Sequence, residues 1–85
     1  MFNQVVLMGE VAEIYSNKID IKVHNEYIPV EMTEEMISKL LLNNQIGIKG
    51  RAIMREISGS KGAEEIVIIC DELKILDRRG KKSGN

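Results

Sequence analysis

The chain has 85 residues, of which 44% are hydrophobic and 29% charged, and its formal net charge is −1. A chain of this length forms one small domain with a marginal core, which excludes a two-domain enzyme with an interdomain cleft. Its apolar content excludes intrinsic disorder, and no apolar run approaches the roughly 20 residues that a membrane-spanning helix needs. The first residues lack the pattern of an export signal, so we expect a soluble, cytoplasmic protein.

Two strands open the predicted structure. Residues 4–15 predict a long first strand with a bend or bulge at Gly9. After a Ser16-Asn17 turn, residues 18–23 alternate strictly between apolar and polar side chains, as a strand with one buried face does. The polar face of this second strand carries Lys18, Asp20 and Lys22.

A third strand and a helix follow. Residues 26–31 predict the strand, and Pro29 indicates that it is an edge or bulged strand, because proline cannot donate a ladder hydrogen bond. Thr33 is the expected N-cap of a helix of about ten residues that ends at Asn43-Asn44. One face of this helix would carry Met36, Ile37, Leu40 and Leu41.

The second half of the chain predicts a hairpin. Residues 45–57 form a fourth strand, and the Gly-rich loop 58–62 leads to a fifth strand that starts at Glu64 and extends, or is bulged, into residues 73–76. One face of the fourth strand carries three cations, Lys49, Arg51 and Arg55. Residues 78–85 contain four basic residues and no apolar ones, and we expect a disordered basic tail after a domain at 1–77.

Three strands, one short helix and two strands are the element order of the OB-fold, a five-stranded Greek-key barrel in an all-β chain with one helix. Closure of a barrel also explains why the strands are apolar with few exposed edges. The alternative is an open α+β sheet with the helix packed across one face.

Four segments resemble bacterial single-stranded DNA-binding proteins. They are the opening strand at residues 3–9, the third strand at 26–30, the entry to the fourth strand at 44–51 and the closing segment at 71–77. The long second-to-third strand hairpin of that family is reduced here to His24-Asn25, Ile57 falls near a family aromatic, and the tail is basic where the family has an acidic tip. The resemblance is therefore to a trimmed OB core.

Single-strand binding requires cations along the phosphates and flat side chains on which bases stack. Residues 45–61 carry four basic groups against one acidic group, although the chain as a whole is slightly acidic. Alternate strand residues lie roughly 6–7 Å apart, close to the repeat of an extended nucleic-acid backbone. The resemblance adds Tyr27 as a stacking residue. The candidate nucleic-acid-binding residues are Tyr27, Lys49, Arg51, Arg55, Lys18, Lys22, Tyr15 and Lys61.

Each of these residues also has a structural interpretation. The lysines and arginines are equally what the solvated outer face of any amphipathic strand carries, and Tyr15 beside a turn is as well suited to covering the end of a barrel. Phe2 is expected to make a core or subunit contact instead of stacking on a base.

The sequence contains no recognisable enzyme site. Cys70 is the single cysteine, which excludes an intrachain disulfide and a cysteine zinc site, and its apolar surroundings predict a buried, inert thiol. No Ser/His/Asp or Cys/His set suits nucleophilic catalysis, and we expect no metal and no cofactor.

Two functions remain open. In the first, the chain binds single-stranded DNA without sequence preference, with RNA as an alternative ligand, and assembles as a homodimer or homotetramer through the first strand. In the second, the chain is an OB module that has lost nucleic-acid binding and serves in protein interaction or assembly. The acidic segments 1–44 and 62–77 favour this second function.

Overall fold

The computed structural model describes residues 3–59 and 61–76, so the expected tail and Phe2 lie outside the described residues. In this part of the chain the elements are β1 (Val5–Ile14), β2 (Lys18–Val23), β3 (Glu26–Glu31), α1 (Glu34–Ile37), β4 (Gln45–Glu56) and β5 (Glu64–Ile75). The strands close into one barrel in the order β1-β2-β3-β5-β4. The closed barrel confirms the predicted architecture, and the open-sheet alternative is wrong.

The core follows from the period-two pattern of the strands. Ile19 and Ile21 of β2 are fully buried and face Val30 of β3 and Val11 of β1 inside the barrel. The intervening residues of β2 point outward, as predicted. The buried apolar residues are Val11, Ile19, Ile21, Val30, Met32, Leu40, Ile46, Ile48 and Cys70.

The helix is much shorter than the predicted ten residues. Thr33 is its N-cap, because the Thr33 Oγ1 accepts a hydrogen bond from the Met36 N–H over 3.1 Å. After Ile37 the backbone changes to hydrogen bonds three residues apart, and the Asn44 Oδ1 accepts the Leu41 N–H over 2.8 Å. Asn44 thus supplies a side-chain acceptor to a backbone donor that helix continuation would have satisfied. Leu41 is exposed instead of lying on the apolar face.

The bulge of β1 is not at Gly9, where the sequence predicts a bend or bulge. The register of β1 against β2 shifts between Val11 and Glu13, so Ala12 is the extra residue. Gly9 is required for another reason, since a Cβ there would overlap the carbonyl oxygen of Lys22 on the neighbouring strand. A second bulge places Asp71 as the extra residue of β5, which confirms the expected bulged extension of that strand.

The hairpin of β4 and β5 extends beyond the closed part of the barrel. The ladder between β1 and β4 stops at Val5 and Gly50, and β3 pairs with β5 only at Val30 and Glu31. Within the described residues, positions 53–56 and 64–67 therefore have only each other as ladder partners, and the Asn3 side-chain amide bonds to both the N–H and the C=O of the preceding Ala52. We call residues 52–67 the β4–β5 arm; in it, Gly59 and Gly62 have φ near +80°.

Pro29 lies in the part of β3 that has no described partner on the β5 side, which agrees with its predicted edge position. Among the described residues, no helix is long and apolar enough to cross a membrane.

Candidate nucleic-acid interface

The outer surface of β2 and β3 is built from three cross-strand pairs. Lys22 lies opposite Tyr27, Asp20 opposite Pro29, and Lys18 opposite Glu31. These side chains point outward because the alternate residues of both strands fill the core. We call this surface the β2–β3 face; it is the face that OB-folds use for oligonucleotides, together with the loop after β1 and the loop between β4 and β5.

Tyr27 lies at one end of the β2–β3 face with 60% of its surface exposed. Its cross-strand neighbour is Lys22, so a lysine and an exposed aromatic residue lie side by side on adjacent strands, the combination of charge and stacking surface that single-strand binding uses. The ring has no described side-chain hydrogen bond that would hold it to the barrel. A base could therefore stack on it without any side chain being displaced.

Tyr15 and Lys18 form a second pair of the same kind at the other end of the face. The Lys18 Nζ lies 5.3 Å from the centre of the Tyr15 ring, within the range of a cation–π contact. Tyr15 is on the surface and does not cover the end of the barrel. The charge of Asp20, with smaller contributions from partial burial and from Glu13, raises the pKa of the Tyr15 phenol. Lys18 and Lys22 are four residues apart, about 13 Å along the strand.

Carboxylates are mixed with these cations. Glu10 of β1 lies opposite Lys22, and Glu13 lies opposite Asp20. The β2–β3 face is therefore not a uniformly positive groove, and its positive charge is concentrated at its two ends, beside the tyrosines.

The three cations of β4 have different surroundings. Lys49 lies between Val6 of β1 and Glu72 of β5 on the other side of the barrel from β3. The Arg51 Nε donates to both carboxylate oxygens of Asp71, over 3.3 and 3.2 Å. The predicted cationic stripe on β4 is therefore present as a row of outward side chains, but it is partly neutralised.

Arg55 reaches across β5 to Glu31 at the end of β3. Its Nη1 donates to Glu31 Oε1 over 3.5 Å and its Nη2 donates to Oε2, so the contact is bidentate. Hydrogen bonding to Glu31 raises the pKa of the Arg55 guanidinium above its ordinary value. The contact also joins the β4–β5 arm to β3 where the strand ladder between β3 and β5 ends.

One row of outward residues crosses four strands and connects the β2–β3 face with β4. Lys18 lies opposite Glu31, Glu31 lies beside Ile69 in the parallel β3–β5 pair, and Ile69 lies opposite Arg51. With Arg55 bound to Glu31 and Asp71 bound to Arg51, this row forms an alternating charged band. The charged band consists of Lys18, Glu31, Ile69, Arg51, Arg55 and Asp71.

The structure thus places Lys18, Arg51 and Arg55 along one outward band, with Tyr15 beside Lys18. Tyr27 and Lys22 form the opposite end of the β2–β3 face, Lys49 shares the outward row of β4 with Arg51, and Lys61 is exposed at the tip of the β4–β5 arm.

Sequence reasoning did not identify Glu31 or Asp71 as part of the site. A signal for Glu31 was available, because Tyr27, Pro29 and Glu31 share one face of a strand by period two. For Asp71 no signal existed, since it points toward Arg51 only because of the bulge in β5.

Metal binding and thiol chemistry have little support among the described residues. They contain no group of three or more His, Cys, Asp or Glu side chains placed to hold a metal ion. Cys70 is buried, its Sγ donates to the carbonyl oxygen of Glu72 over 3.2 Å, and burial raises the pKa of its thiol.

Comparisons with known proteins bear on the fold. No protein-family model matches the chain, and no curated protein sequence matches it. Among solved structures, the barrel is similar to the crystal structure of Rim1, a mitochondrial single-stranded DNA-binding protein from S. cerevisiae. The likeness has a TM-score of 0.69 and covers 91% of this chain and 96% of that one, at 9% sequence identity. The chain has an OB-fold. At this identity the similarity establishes the architecture that the element order predicted.

Proposed function

We propose that this protein binds single-stranded DNA without sequence preference, as a trimmed relative of the bacterial single-stranded DNA-binding family. The observation that carries the proposal is the exposed Tyr27 ring beside Lys22 on the outer surface of β2 and β3. Tyr15 and Lys18 repeat the same pairing about 13 Å along the strand, so one extended strand can use both. The OB-fold shared with a protein named for single-stranded DNA binding agrees with this assignment.

In this mechanism a DNA strand lies across the β2–β3 face with its bases toward the tyrosines. Each base stacked on an aromatic ring contributes about 1–3 kcal/mol, whatever its identity. Phosphates lie near Lys18 and Lys22. With two tyrosines and interspersed carboxylates, a single barrel binds weakly, so assembly of several barrels increases the overall affinity through multivalency.

The test is a titration of labelled oligo-dT followed by fluorescence anisotropy at two salt concentrations. Loss of one stacking contact in Tyr27→Ala should weaken binding by about 5- to 150-fold. Tyr27→Phe should keep most of the affinity, because the ring remains. Leu42→Ala is the matched control, since Leu42 is an exposed apolar residue in the loop before β4, away from the face.

The basic C-terminal residues need their own control, because four cations alone can bind DNA electrostatically. The full-length chain with Arg78, Arg79, Lys81 and Lys82 changed to glutamine separates that contribution from the barrel. The proposal fails if this variant has lost all binding, or if the unmodified protein shows none at low salt.

We further propose that assembly occurs through the first half of β1, with a second copy of the chain as the partner. Val5 to Met8 pair with β4 on one side, whereas the β2 ladder begins only at Glu10, so this segment has an unpaired edge among the described residues. Val6 and Met8 are exposed beside it. Native strand edges are usually protected by charge, yet residues 3–8 contain no charged side chain.

This edge suits antiparallel pairing of two identical strands, which satisfies the free backbone groups and covers the exposed apolar side chains of both copies. Because the core of a single barrel is small, such pairing would also increase the stability of the protein. The same surface is the observation that favours the second candidate function, an assembly module, if the DNA titration is negative.

A further inference from the structure

The charged band contains a carboxylate at the position where a DNA phosphate would be expected. Glu31 lies opposite Lys18 and accepts hydrogen bonds from both terminal nitrogens of Arg55. Arg51 lies in the same row, two strands away, and is bound to Asp71. Three cations thus surround a short stretch of surface next to Tyr15, and each of the two arginines is engaged by a carboxylate of the chain itself.

The geometry of the Arg55 contact makes Glu31 a substitute for phosphate. A guanidinium presents parallel N–H groups that match the two oxygens of a carboxylate and those of a phosphate in the same way. The Arg55 nitrogens that bind Glu31 are therefore the ones a phosphate would use. A phosphate that takes the same two nitrogens must displace Glu31, because each of these N–H groups is already directed at a carboxylate oxygen.

The pair joins the β4–β5 arm to β3, but its contribution to the stability of the whole barrel is expected to be small. Both side chains of the pair are partly exposed, with 44% of Arg55 and 29% of Glu31 accessible. Exposed ion pairs of this kind contribute little to stability. The location is more informative. Glu31 ends the outward row of β3 that begins with Tyr27, and it lies between cations of β2 and β4.

We infer that Glu31 is a built-in competitor of DNA phosphates, which keeps Arg55 neutralised and so limits the affinity and salt dependence of single-strand binding. Asp71 acts in the same way on Arg51. This inference rests on the proposed function, and it adds a regulatory feature to that site: the affinity of the barrel is held below what its cations would otherwise provide.

The inference predicts that removing a carboxylate improves binding. In the full-length protein, Glu31→Gln should bind labelled oligo-dT about two- to fivefold more tightly at low salt, as expected for release of an exposed ion pair. If a freed cation then contacts a phosphate, the slope of log affinity against log salt should become steeper by about 0.7 for each new contact. Asp71→Asn should give a smaller change in the same direction.

Glu35→Gln is the matched control. It makes the same change in net charge on an exposed residue of α1, away from the charged band. A general charge effect would tighten binding equally in Glu35→Gln and Glu31→Gln, whereas competition predicts tightening in Glu31→Gln alone. In the Arg55→Gln background, Glu31→Gln should gain less.

The outcomes separate the two proposals. If the unmodified protein binds DNA and Glu31→Gln binds no more tightly than Glu35→Gln, competition by Glu31 is wrong and the proposed function stands. If neither protein binds at low salt, the proposed function is wrong and the inference falls with it. Thermal unfolding of each variant shows whether a weakened Glu31→Gln protein is merely less stable, and Asp71→Asn then provides the test of competition.

Discussion

At the scale of single residues, two glycines of β4 have different surroundings. A Cβ at Gly50 would overlap the carbonyl oxygen of Ile69, where β5 approaches closely next to its bulge. A Cβ at Gly47 would meet Met8 Cγ at 3.6 Å, Leu76 Cδ1 at 3.7 Å and the Leu7 carbonyl oxygen at 3.9 Å, all at ordinary contact distances. The two positions therefore allow the same substitution to be compared on one strand.

Gly50→Ala should lower the free energy of unfolding by about 1–3 kcal/mol, because the backbone of β5 must shift to admit the methyl group. Gly47→Ala should change it by less than about 0.5 kcal/mol, since the site is open. Urea denaturation of the two variants measures the difference. Equal destabilisation would mean that β5 does not approach Gly50 as closely as described.

Period-two alternation predicted which residues of β2 are buried and which are outward, because a barrel wall has one dry and one solvated face. Tyr27, which is exposed, was indicated by the family resemblance and not by this alternation. The alternation could not show that Arg55 and Glu31 meet, since their contact depends on β3 and β5 becoming neighbours, a pairing between segments far apart in the sequence.

At the scale of elements, the length of α1 depends on a competition between helical backbone hydrogen bonds and a hydrogen bond from the backbone to the Asn44 side chain. The apolar spacing of Met36, Ile37 and Leu40 correctly predicted residues that pack toward the core. The predicted length was wrong because the Asn44 side chain binds the Leu41 N–H and replaces the next helical turn. The sequence predicts that the helix ends at Asn43-Asn44. It does not show that the Asn44 side-chain oxygen competes with the helix for the Leu41 N–H.

The strands of the β4–β5 arm have few ladder partners in the rest of the barrel. Beyond Gly50 and before Ile68, its strands have only each other as ladder partners among the described residues, together with the Asn3 amide at Ala52. Such a segment can open without unfolding the barrel. Opening would also separate Arg55 from Glu31.

Hydrogen exchange should detect this local opening. Backbone amides of residues 52–57 are expected to exchange faster than those of residues 46–50, which lie in the same strand but have ladder partners on both sides. Arg55→Gln should accelerate exchange in the arm and leave residues 46–50 unchanged. Uniform protection along β4 would contradict an independently opening arm.

At the scale of the whole molecule, the net charge of −1 does not show how the charged side chains are arranged. The sequence correctly located three cations on β4 and one in the following loop, but charge counts cannot show pairing. Two arginines are bound by carboxylates from other positions in the chain, and Lys22 and Lys18 lie beside tyrosines. Under the proposed function, the affinity for DNA therefore depends on which cations are free, and not on how many the chain contains.

Assembly provides a test at the same scale, because it depends on the uncharged edge of β1. Met8→Lys places a charge on an outward, exposed residue next to the free edge, the device by which natural edge strands avoid pairing. The unmodified protein should have the native mass of a dimer or tetramer, and Met8→Lys should shift it to the monomer mass without disrupting the barrel.

Leu42→Lys is the matched control for this experiment, since it adds the same charge at an exposed apolar residue outside β1. It should keep the oligomer mass of the unmodified protein. If assembly supplies several DNA-binding faces, Met8→Lys should also weaken binding to a long oligo-dT more than binding to a short one, because only the long strand can engage two barrels. A monomeric unmodified protein, or an oligomer that persists in Met8→Lys, would show that β1 is not the contact.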